Sequence, residues 1–269
     1  MKKIDVTRYS IETEKLPENF SGYRFVVMSD LHSNVYGIDL HEVNRIIKAE
    51  KPDAILMAGD MFNGAVKDDP IQVLKYIKTL AGHYPVFFAN GNHEYRMKLD
   101  TETFDDRYYV IRNYLSEAGV VFLEDETITL EKENASILLS GVEIDSVFYK
   151  KTDTPKMGKS LIDHHLGNCH REYYNVLLAH NPAFFKRYAG WGADLVVSGH
   201  VHGGTVRLPG VGGLMSTNIE LFPEYDSGMY NHRDSMMMVS RGMGAHTINI
   251  RVNNNPEVVI LNIIPKNAY

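Results

Sequence analysis

Two histidines stand one residue apart in the stretch GHVHGG, at positions 200 and 202, directly after an apolar run that is typical of a buried strand. Imidazole nitrogens bind metal ions and exchange protons near neutral pH. The flanking glycines permit tight turns and let the backbone approach a ligand closely. Such a pair can also be purely structural, so its meaning depends on whether other strand ends supply groups that could meet it.

Polar groups follow four other apolar runs in the same way. In chain order they are Asp30 with His32, Asp60 after Gly59, Asn92-His93-Glu94 after Gly91, and His180 with Asn181. Ligands of open α/β sheets bind beyond the carboxyl ends of the strands, so we expect the sheet to bring these groups to one edge. Buried polar groups without partners cost several kcal/mol, and divalent metal ions would satisfy most of them at once.

The candidate ligands offer nitrogen and oxygen without sulfur, a set that suits manganese, iron, zinc or nickel better than calcium. They are too many for one tetrahedral ion. A shared carboxylate would instead hold two ions about 3.5–4 Å apart, which is the spacing of two-metal hydrolases. We therefore predict two divalent metal ions per chain, with manganese favoured.

The apolar periodicity predicts the elements that must position these groups. Strands are expected at 23–30, 53–60, 85–94, 126–131, 135–144, 174–182, 193–200 and 235–244. Helices are expected at 38–50, 70–80 and 105–118. The two strands that begin at 126 and 135 should pair antiparallel, and the tail from residue 246 should form a hairpin around 253–255. The pattern indicates an α/β architecture, with one domain over residues 1–269.

Composition excludes several classes of protein. The chain has 269 residues and a formal net charge of −6, which argues against general nucleic-acid binding. Its single cysteine, Cys169, excludes an intramolecular disulfide and a cysteine-built zinc site. The first residues lack the apolar segment of a signal peptide, and no apolar run reaches the roughly 18 residues of a bilayer span. We expect a cytoplasmic protein, with peripheral membrane contact left open.

The ordered blocks D-x-H, G-D, G-N-H-E, an isolated histidine and G-H-x-H resemble the motif series of the calcineurin-like metallophosphoesterases. The stretches GHVHGGTVRLPGVG, PEYDSGMY and VSRGMG are similar to the bacterial branch that includes the YkuE-like and YaeI-like phosphodiesterases. Two positions depart from the pattern, because Glu94 stands where aspartate is commoner and Thr205 where that branch often has glutamine. The resemblance implies a four-layer α/β/β/α sandwich of the metallo-dependent phosphatase type, with the site at the junction of two sheets.

The resemblance also implies a role for each residue of the site. The first ion would be held by Asp30, His32 and His202, both ions would be bridged by Asp60, and the second ion would be held by Asn92, His180 and His200. His93 would face the substrate without binding metal, as an acid for the leaving oxygen or a stabiliser of the phosphate. Asn63, shortly after the second block, and Arg241, in a glycine-bounded loop, are weaker candidates for substrate contacts.

The implied activity is hydrolysis of a small or lipid-linked phosphodiester or pyrophosphate-type substrate, in which a metal-bound water or hydroxide attacks phosphorus in line. Hydrolysis of a monoester at the same site is the main alternative. A non-catalytic scaffold of the same fold is a third interpretation, although such relatives typically lose a ligand or the catalytic histidine and every position is present here. A P-loop protein would need a glycine-rich loop ending in Lys-Ser or Lys-Thr, which this sequence lacks.

Overall fold

The computed structural model describes residues 2–33, 35, 37–150, 154–204, 207–208, 212–213, 223–244 and 251–266. The strands in this part of the chain are β1 Asp5–Thr13, β2 Tyr23–Met28, β3 Ala54–Ala58, β4 Val86–Ala89, β5 Val120–Phe122, β6 Glu126–Lys132, β7 Ala135–Gly141, β8 Asn175–Leu178, β9 Leu195–Ser198, β10 Arg207–Leu208, β11 Gly212–Gly213, β12 Gly228–His232, β13 Ser235–Val239 and β14 Glu257–Pro265. The helices are α1 Leu40–Glu50, α2 Ile71–Ala81, α3 Asn92–Leu99, α4 Thr101–Phe104, α5 Arg107–Glu117, α6 Leu161–Leu166 and α7 Phe185–Trp191. Short 3-10 helices cover Glu18–Phe20, Ser146–Tyr149 and Pro182–Phe184.

Two mixed sheets lie at the centre of the described structure. The strand order is β1-β14-β2-β3-β4-β5 in the first sheet and β12-β13-β9-β8-β7-β6 in the second. In the first sheet β2 to β5 are parallel, and β14 runs parallel to β1 but antiparallel to β2. In the second sheet β13, β9, β8 and β7 are parallel, and β12 and β6 run antiparallel at the two edges.

Alternation along the central strands divides their side chains between two layers, because successive residues of a strand point to opposite faces. In β2, Phe25 and Val27 pack between the two sheets, whereas Val26 and Met28 pack beneath α1, α2 and α5. In the second sheet, Leu177 of β8 packs instead against α6 and α7. The result is helices, sheet, sheet and helices in order, which confirms the four-layer architecture.

Helix α1 shows how local sequence sets an element. The Asp39 side chain accepts hydrogen bonds from the backbone N–H groups of His41 and Glu42, which caps the helix start. Val43 and Ile47 are fully buried one turn apart on the face toward the sheet. The helix ends where Lys51 takes a left-handed backbone conformation, with Pro52 following.

Most of the predicted elements are confirmed in their central residues, but two predictions are wrong. The strand predicted over 85–94 ends at Ala89, and Asn92 instead begins α3. The predicted C-terminal hairpin does not account for β14, because β1 and β2 pair with its two edges over Val259–Ile263. Residues 246–250, the first arm of that hairpin, lie outside the described residues, as does Thr205. No helix among the described residues is long and apolar enough to cross a membrane.

Candidate metal centre

The candidate site lies where the carboxyl ends of strands from both sheets meet. Asp30 and Asp60 follow β2 and β3 of the first sheet, whereas His180 and His200 follow β8 and β9 of the second. His180 Nε2 lies 3.1 Å from Asp60 Oδ2 and 3.8 Å from Asp30 Oδ1, so the two sheets contribute to one centre. The residue pattern alone suggested the edge of one sheet. The junction of two sheets, which the resemblance implied, is where the structure places these groups.

Five of the candidate ligands have left-handed backbone conformations, with φ between 52° and 72°. These residues are Asp30, His32, Asp60, His200 and His202. The left-handed region is costly for residues with a Cβ atom, and such residues concentrate at functional sites. These residues lie in the turns that follow β2, β3 and β9, where the candidate ligands come together.

Three side chains converge on the first candidate position. Their ligand atoms, from Asp30, His32 and His202, all lie within 4.8 Å of one another. The Nε2 atoms of His32 and His202 are 2.9 Å apart with their rings stacked, and His202 Nε2 lies 3.5 Å from Asp30 Oδ1. Two imidazole nitrogens and a carboxylate directed at one point are a common ligand set for a divalent transition metal.

Asp60, His180 and His200 form the second group, whose ligand atoms also lie within 4.8 Å of one another. His180 donates from Nδ1 to the carbonyl oxygen of Ala58 at 2.7 Å, which leaves Nε2 directed at the carboxylates. A hydrogen bond of this kind sets the tautomer and the ring orientation of a metal-binding histidine. A third group joins His32, Asp60 and His93, so Asp60 belongs to two of the three groups.

Backbone N–H groups hold the two carboxylates in place. Asp30 Oδ1 accepts a hydrogen bond from the backbone N–H of His200 at 2.9 Å, a contact between the two sheets. Asp60 Oδ1 accepts one from the backbone N–H of His93 at 2.9 Å. Because His93 is in the first turn of α3, the positive end of the helix dipole also faces Asp60. Asp60 thereby keeps its second oxygen, Oδ2, toward His180 and His93.

Burial and mutual charge perturb the acids and bases of the centre. Burial raises the pKa of Asp30 to about 6. Burial also opposes ionisation of Asp60, but the neighbouring charges of His180 and His93 hold its pKa well below the usual range. Burial opposes protonation of His180, yet Asp60 raises the pKa of that imidazole to about 10. These groups compete for protons in the absence of a cation, and bound divalent ions would replace the protons.

The residues present fit a pair of metal ions. Asn92 Oδ1 is buried and has no hydrogen-bond partner among the described residues, as expected of an oxygen that awaits a cation. A Cβ atom at Gly199 would lie 2.4 Å from Asp30 Oδ2. Only a glycine, which has no side chain, lets the backbone after β9 come this close to the carboxylate. Among the described residues, the groupings of potential metal ligands all belong to this centre.

A model of the calcineurin-like phosphoesterase family matches residues 23–204. The chain belongs to this family. An uncharacterized metallophosphoesterase of Aquifex aeolicus is 30% identical over 268 residues, which cover 97% of this chain and 92% of that protein. The metallophosphoesterase YkuE of Bacillus subtilis is 24% identical, with coverage of 97% and 85%. The phosphodiesterase YaeI of Escherichia coli is 23% identical, with coverage of 92% and 84%. The predicted family and the class of phosphoric ester hydrolase are therefore confirmed.

The surroundings of His93 in this phosphoesterase decide which ring nitrogen carries a proton. Nδ1 makes a very short contact with the carbonyl oxygen of Asn63, and only a protonated Nδ1 can donate there. Nε2 consequently faces the centre, 3.9 Å from Asp60 Oδ2. Asn92 and His93 are consecutive residues of a helix and not of an extended segment, and the helix rotates their side chains by about 100° from each other.

Glu94, the residue that departs from the commoner aspartate of the motif, is buried behind the centre. Its Oε2 accepts hydrogen bonds from the backbone N–H groups of Asp60 and Gly91, at 2.9 and 3.0 Å. Its Oε1 accepts one from Phe62 at 2.9 Å. The side chain thus joins the loop after β3 to the start of α3, and glutamate is tolerated here because it reaches all three donors.

The two candidate substrate contacts differ in their surroundings. Asn63 lies beside His93, and it bonds to the surrounding described residues through its backbone N–H and carbonyl groups. Arg241 packs near Gly203 beside the centre, but its guanidinium donates to the carboxylates of Glu257 and Asp5. These ion pairs favour a structural role for Arg241. Its predicted contact with phosphate stays a prediction.

Sequence reasoning missed three residues that lie against the ligands. Arg251 is 3.3 Å from His202 Nδ1 through its NH2 group, and burial lowers its pKa to about 10. Asn254 donates to the carbonyl oxygens of His202 and Gly204, each at 2.7 Å. The Tyr149 ring lies edge-on to His200 with 5.0 Å between centroids. None of the three belongs to a recognisable motif, and only the tertiary fold brings them to the site.

Proposed function

We propose that this chain is a dinuclear metal-dependent phosphoesterase in which Asp60 bridges two divalent ions. The observation that supports the proposal best is that Asp60 shares one ligand group with His32 and another with His180 and His200. His32 also belongs to two groups, but a carboxylate has two oxygens and can hold two ions, whereas one imidazole nitrogen holds one. The first ion would lie among Asp30, His32 and His202. The second would lie among Asn92, His180 and His200, where the Asn92 oxygen lacks another partner.

Phosphodiesters or pyrophosphate-type molecules are the proposed substrates. The motif stretches of the YaeI-like branch support this class, because the related E. coli protein bears the name phosphodiesterase. A small or lipid-linked phosphoester fits the proposal, and manganese is the preferred ion. The cytoplasmic location and the single domain over residues 1–269 stay predictions.

The chain's own residues would orient the substrate and move protons. Two bound divalent ions would supply Lewis acidity, which makes water acidic and neutralises charge at phosphorus. His93 donates from Nδ1 to the Asn63 carbonyl oxygen and from its backbone N–H to Asp60, and these contacts hold Nε2 toward the cleft. A protonated Nε2 can donate its proton to the leaving oxygen.

Metal analysis and ester hydrolysis with one preparation test the proposal. Protein treated with a chelator is compared with protein reconstituted with manganese, using bis(p-nitrophenyl) phosphate and p-nitrophenyl phosphate as diester and monoester. We expect about two ions per chain, loss of activity in the chelator and faster hydrolysis of the diester.

Each other result overturns a different part of the proposal. Full activity without metal would rule out the mechanism, and one ion at saturation would rule out the dinuclear centre. A strong preference for the monoester would keep the mechanism and replace the substrate class. Metal-loaded protein that hydrolyses neither ester nor any of a panel of pyrophosphates would favour the scaffold interpretation.

A further inference from the structure

Tyr149 is the last residue of the 3-10 helix Ser146–Tyr149, which follows β7. Its ring centroid lies 5.0 Å from that of His200, at an interplanar angle of 72°, and 6.3 Å from that of His180. The aromatic ring therefore borders the half of the centre that these two histidines contribute. The short helix also packs against α3, whose first residue is Asn92.

The hydroxyl of Tyr149 has no hydrogen-bond partner among the residues that the structure describes. Neighbouring tyrosines use theirs within the fold, since the Tyr188 hydroxyl donates to the Asn181 carbonyl at 2.8 Å. The Tyr174 hydroxyl also lacks a partner, but it is buried in the core. The Tyr149 side chain is partly buried. Its phenol borders the centre with a donor that the described residues leave unused.

The turn that carries Tyr149 is fixed by several contacts. Asp145 Oδ1 accepts a hydrogen bond from the backbone N–H of Val147 at 2.8 Å. Asn181 Nδ2 donates to the carbonyl oxygen of Phe148 at 3.2 Å, and the Phe148 ring lies edge-on to Phe184. Because Asn181 is the neighbour of His180 in the chain, the turn and the ligand are held to the same segment. Such support is what a group that must meet a substrate at a set distance requires.

We propose that Tyr149 is a substrate-positioning residue whose hydroxyl donates a hydrogen bond to a phosphoryl oxygen on the side of His180 and His200. The inference rests on the proposed function, because it needs a phosphoester at this centre. Phosphoryl oxygens are ionised acceptors, and hydrogen bonds to charged groups are stronger than those between neutral groups. The contact orients the phosphorus and does not replace a metal ligand.

Tyr149→Phe tests the inference, because phenylalanine keeps the ring against His200 and removes only the hydroxyl. Tyr173→Phe is the matched control, since Tyr173 is exposed and precedes β8 at the end opposite His180. We expect Tyr149→Phe to keep the wild-type manganese content and melting temperature. We expect its kcat/KM for bis(p-nitrophenyl) phosphate to fall about 10- to 100-fold, the range for a hydrogen bond to a charged group. Calorimetry should show weaker binding of inorganic phosphate to the manganese-loaded variant by a similar factor.

The outcomes separate this inference from the proposed function. Wild-type protein that is loaded with manganese but neither hydrolyses the diester nor binds phosphate overturns the proposed function itself. Active wild type with Tyr149→Phe within about twofold in both measurements overturns the role of Tyr149 alone. Loss of metal in Tyr149→Phe would make the residue a support of the centre. Reduced kcat/KM with unchanged phosphate affinity would place the contact on another part of the substrate.

Discussion

At the scale of single residues, the centre depends on groups whose conformations would be unfavourable elsewhere. The left-handed backbones of Asp30, Asp60 and His202 each cost on the order of 1 kcal/mol or more, and a carboxylate fully removed from water costs several. Ions that bind the folded chain would recover these costs. These residues are therefore best explained by function, because apolar residues in ordinary backbone conformations would avoid both the backbone strain and the cost of burying a carboxylate.

His93→Asn should keep both ions and lower turnover by about 10²- to 10⁴-fold, the usual contribution of a general acid. The loss should be largest for esters with alkoxide-like leaving groups and smaller for nitrophenolate, which departs without a proton. Rates on two such esters, with metal content measured in the same samples, check this. Because His93 also forms a ligand group with His32 and Asp60, metal loss in the variant would make it a ligand. Equal losses on both esters would make it a phosphate stabiliser.

Asp60→Asn should reduce metal content far more than Asn63→Ala does. The first change removes a charge from the carboxylate that belongs to two ligand groups, whereas the recorded hydrogen bonds of Asn63 come from its backbone. We expect fewer than about two ions per chain in the first variant and wild-type content in the second. Elemental analysis of both variants after identical manganese loading measures this difference. Greater metal loss in Asn63→Ala would show that the bridge is misassigned.

At the scale of elements, the strand ends must approach one another closely enough for their ligands to converge. The approach of β9 to the loop after β2 depends on Gly199, where an added Cβ would lie 2.4 Å from Asp30 Oδ2 and 3.0 Å from the Cβ of Ser29. The inter-sheet hydrogen bond from His200 to Asp30 lies beside this contact. A side chain at this position would separate the two halves of the centre.

Gly199→Ala should therefore destabilise the fold by about 1–3 kcal/mol, the range for overpacking of a close contact, and should weaken metal binding. Gly190→Ala is the control, because a Cβ there meets no atom within 4 Å and the residue lies in α7. Alanine in a helix is favoured over glycine by roughly 1 kcal/mol, so the control should be as stable as wild type or slightly more stable. Denaturant unfolding of the apo-proteins measures both. Equal stabilities would show that the loop after β2 moves aside without cost.

At the scale of the whole molecule, the two sheets pack through the apolar layer that contains Phe25, Leu56, Val176 and Val197. The candidate metal centre lies at one end of this layer, with candidate ligands from each sheet. Ions bound there would connect the sheets, and binding to the native state alone stabilises it by mass action.

Manganese at a concentration about 100- to 1,000-fold above its dissociation constant should raise the melting temperature by about 5–15 °C over chelator-treated protein. The shift should be much smaller in Asp60→Asn, which keeps the apolar layer but loses the shared carboxylate. Calorimetric scans with and without chelator test the prediction. Metal-loaded protein that melts at the apo temperature would show that the ions do not bind between the sheets.

The sequence alone determined which residues are candidates for the chemistry and most of the elements that hold them. Helices α1, α2 and α5 follow from apolar residues at helical spacing, and β2, β3 and β9 from short apolar runs that end in polar residues. The ligands follow from the motif blocks. These signals are local, because spacing along a helix or strand decides which face is buried.

Only the tertiary structure decided how these parts meet. The strand β14 lies between β1 and β2, which are at the other end of the chain, and β1 was not predicted as a strand at all. The ion pairs of Arg241 with Asp5 and Glu257, and the position of Tyr149 against His200, follow from the same long-range pairings. Such contacts depend on how distant segments bury their surfaces against each other. No local pattern records this, so the sequence could predict the candidate ligands but not the residues that surround them.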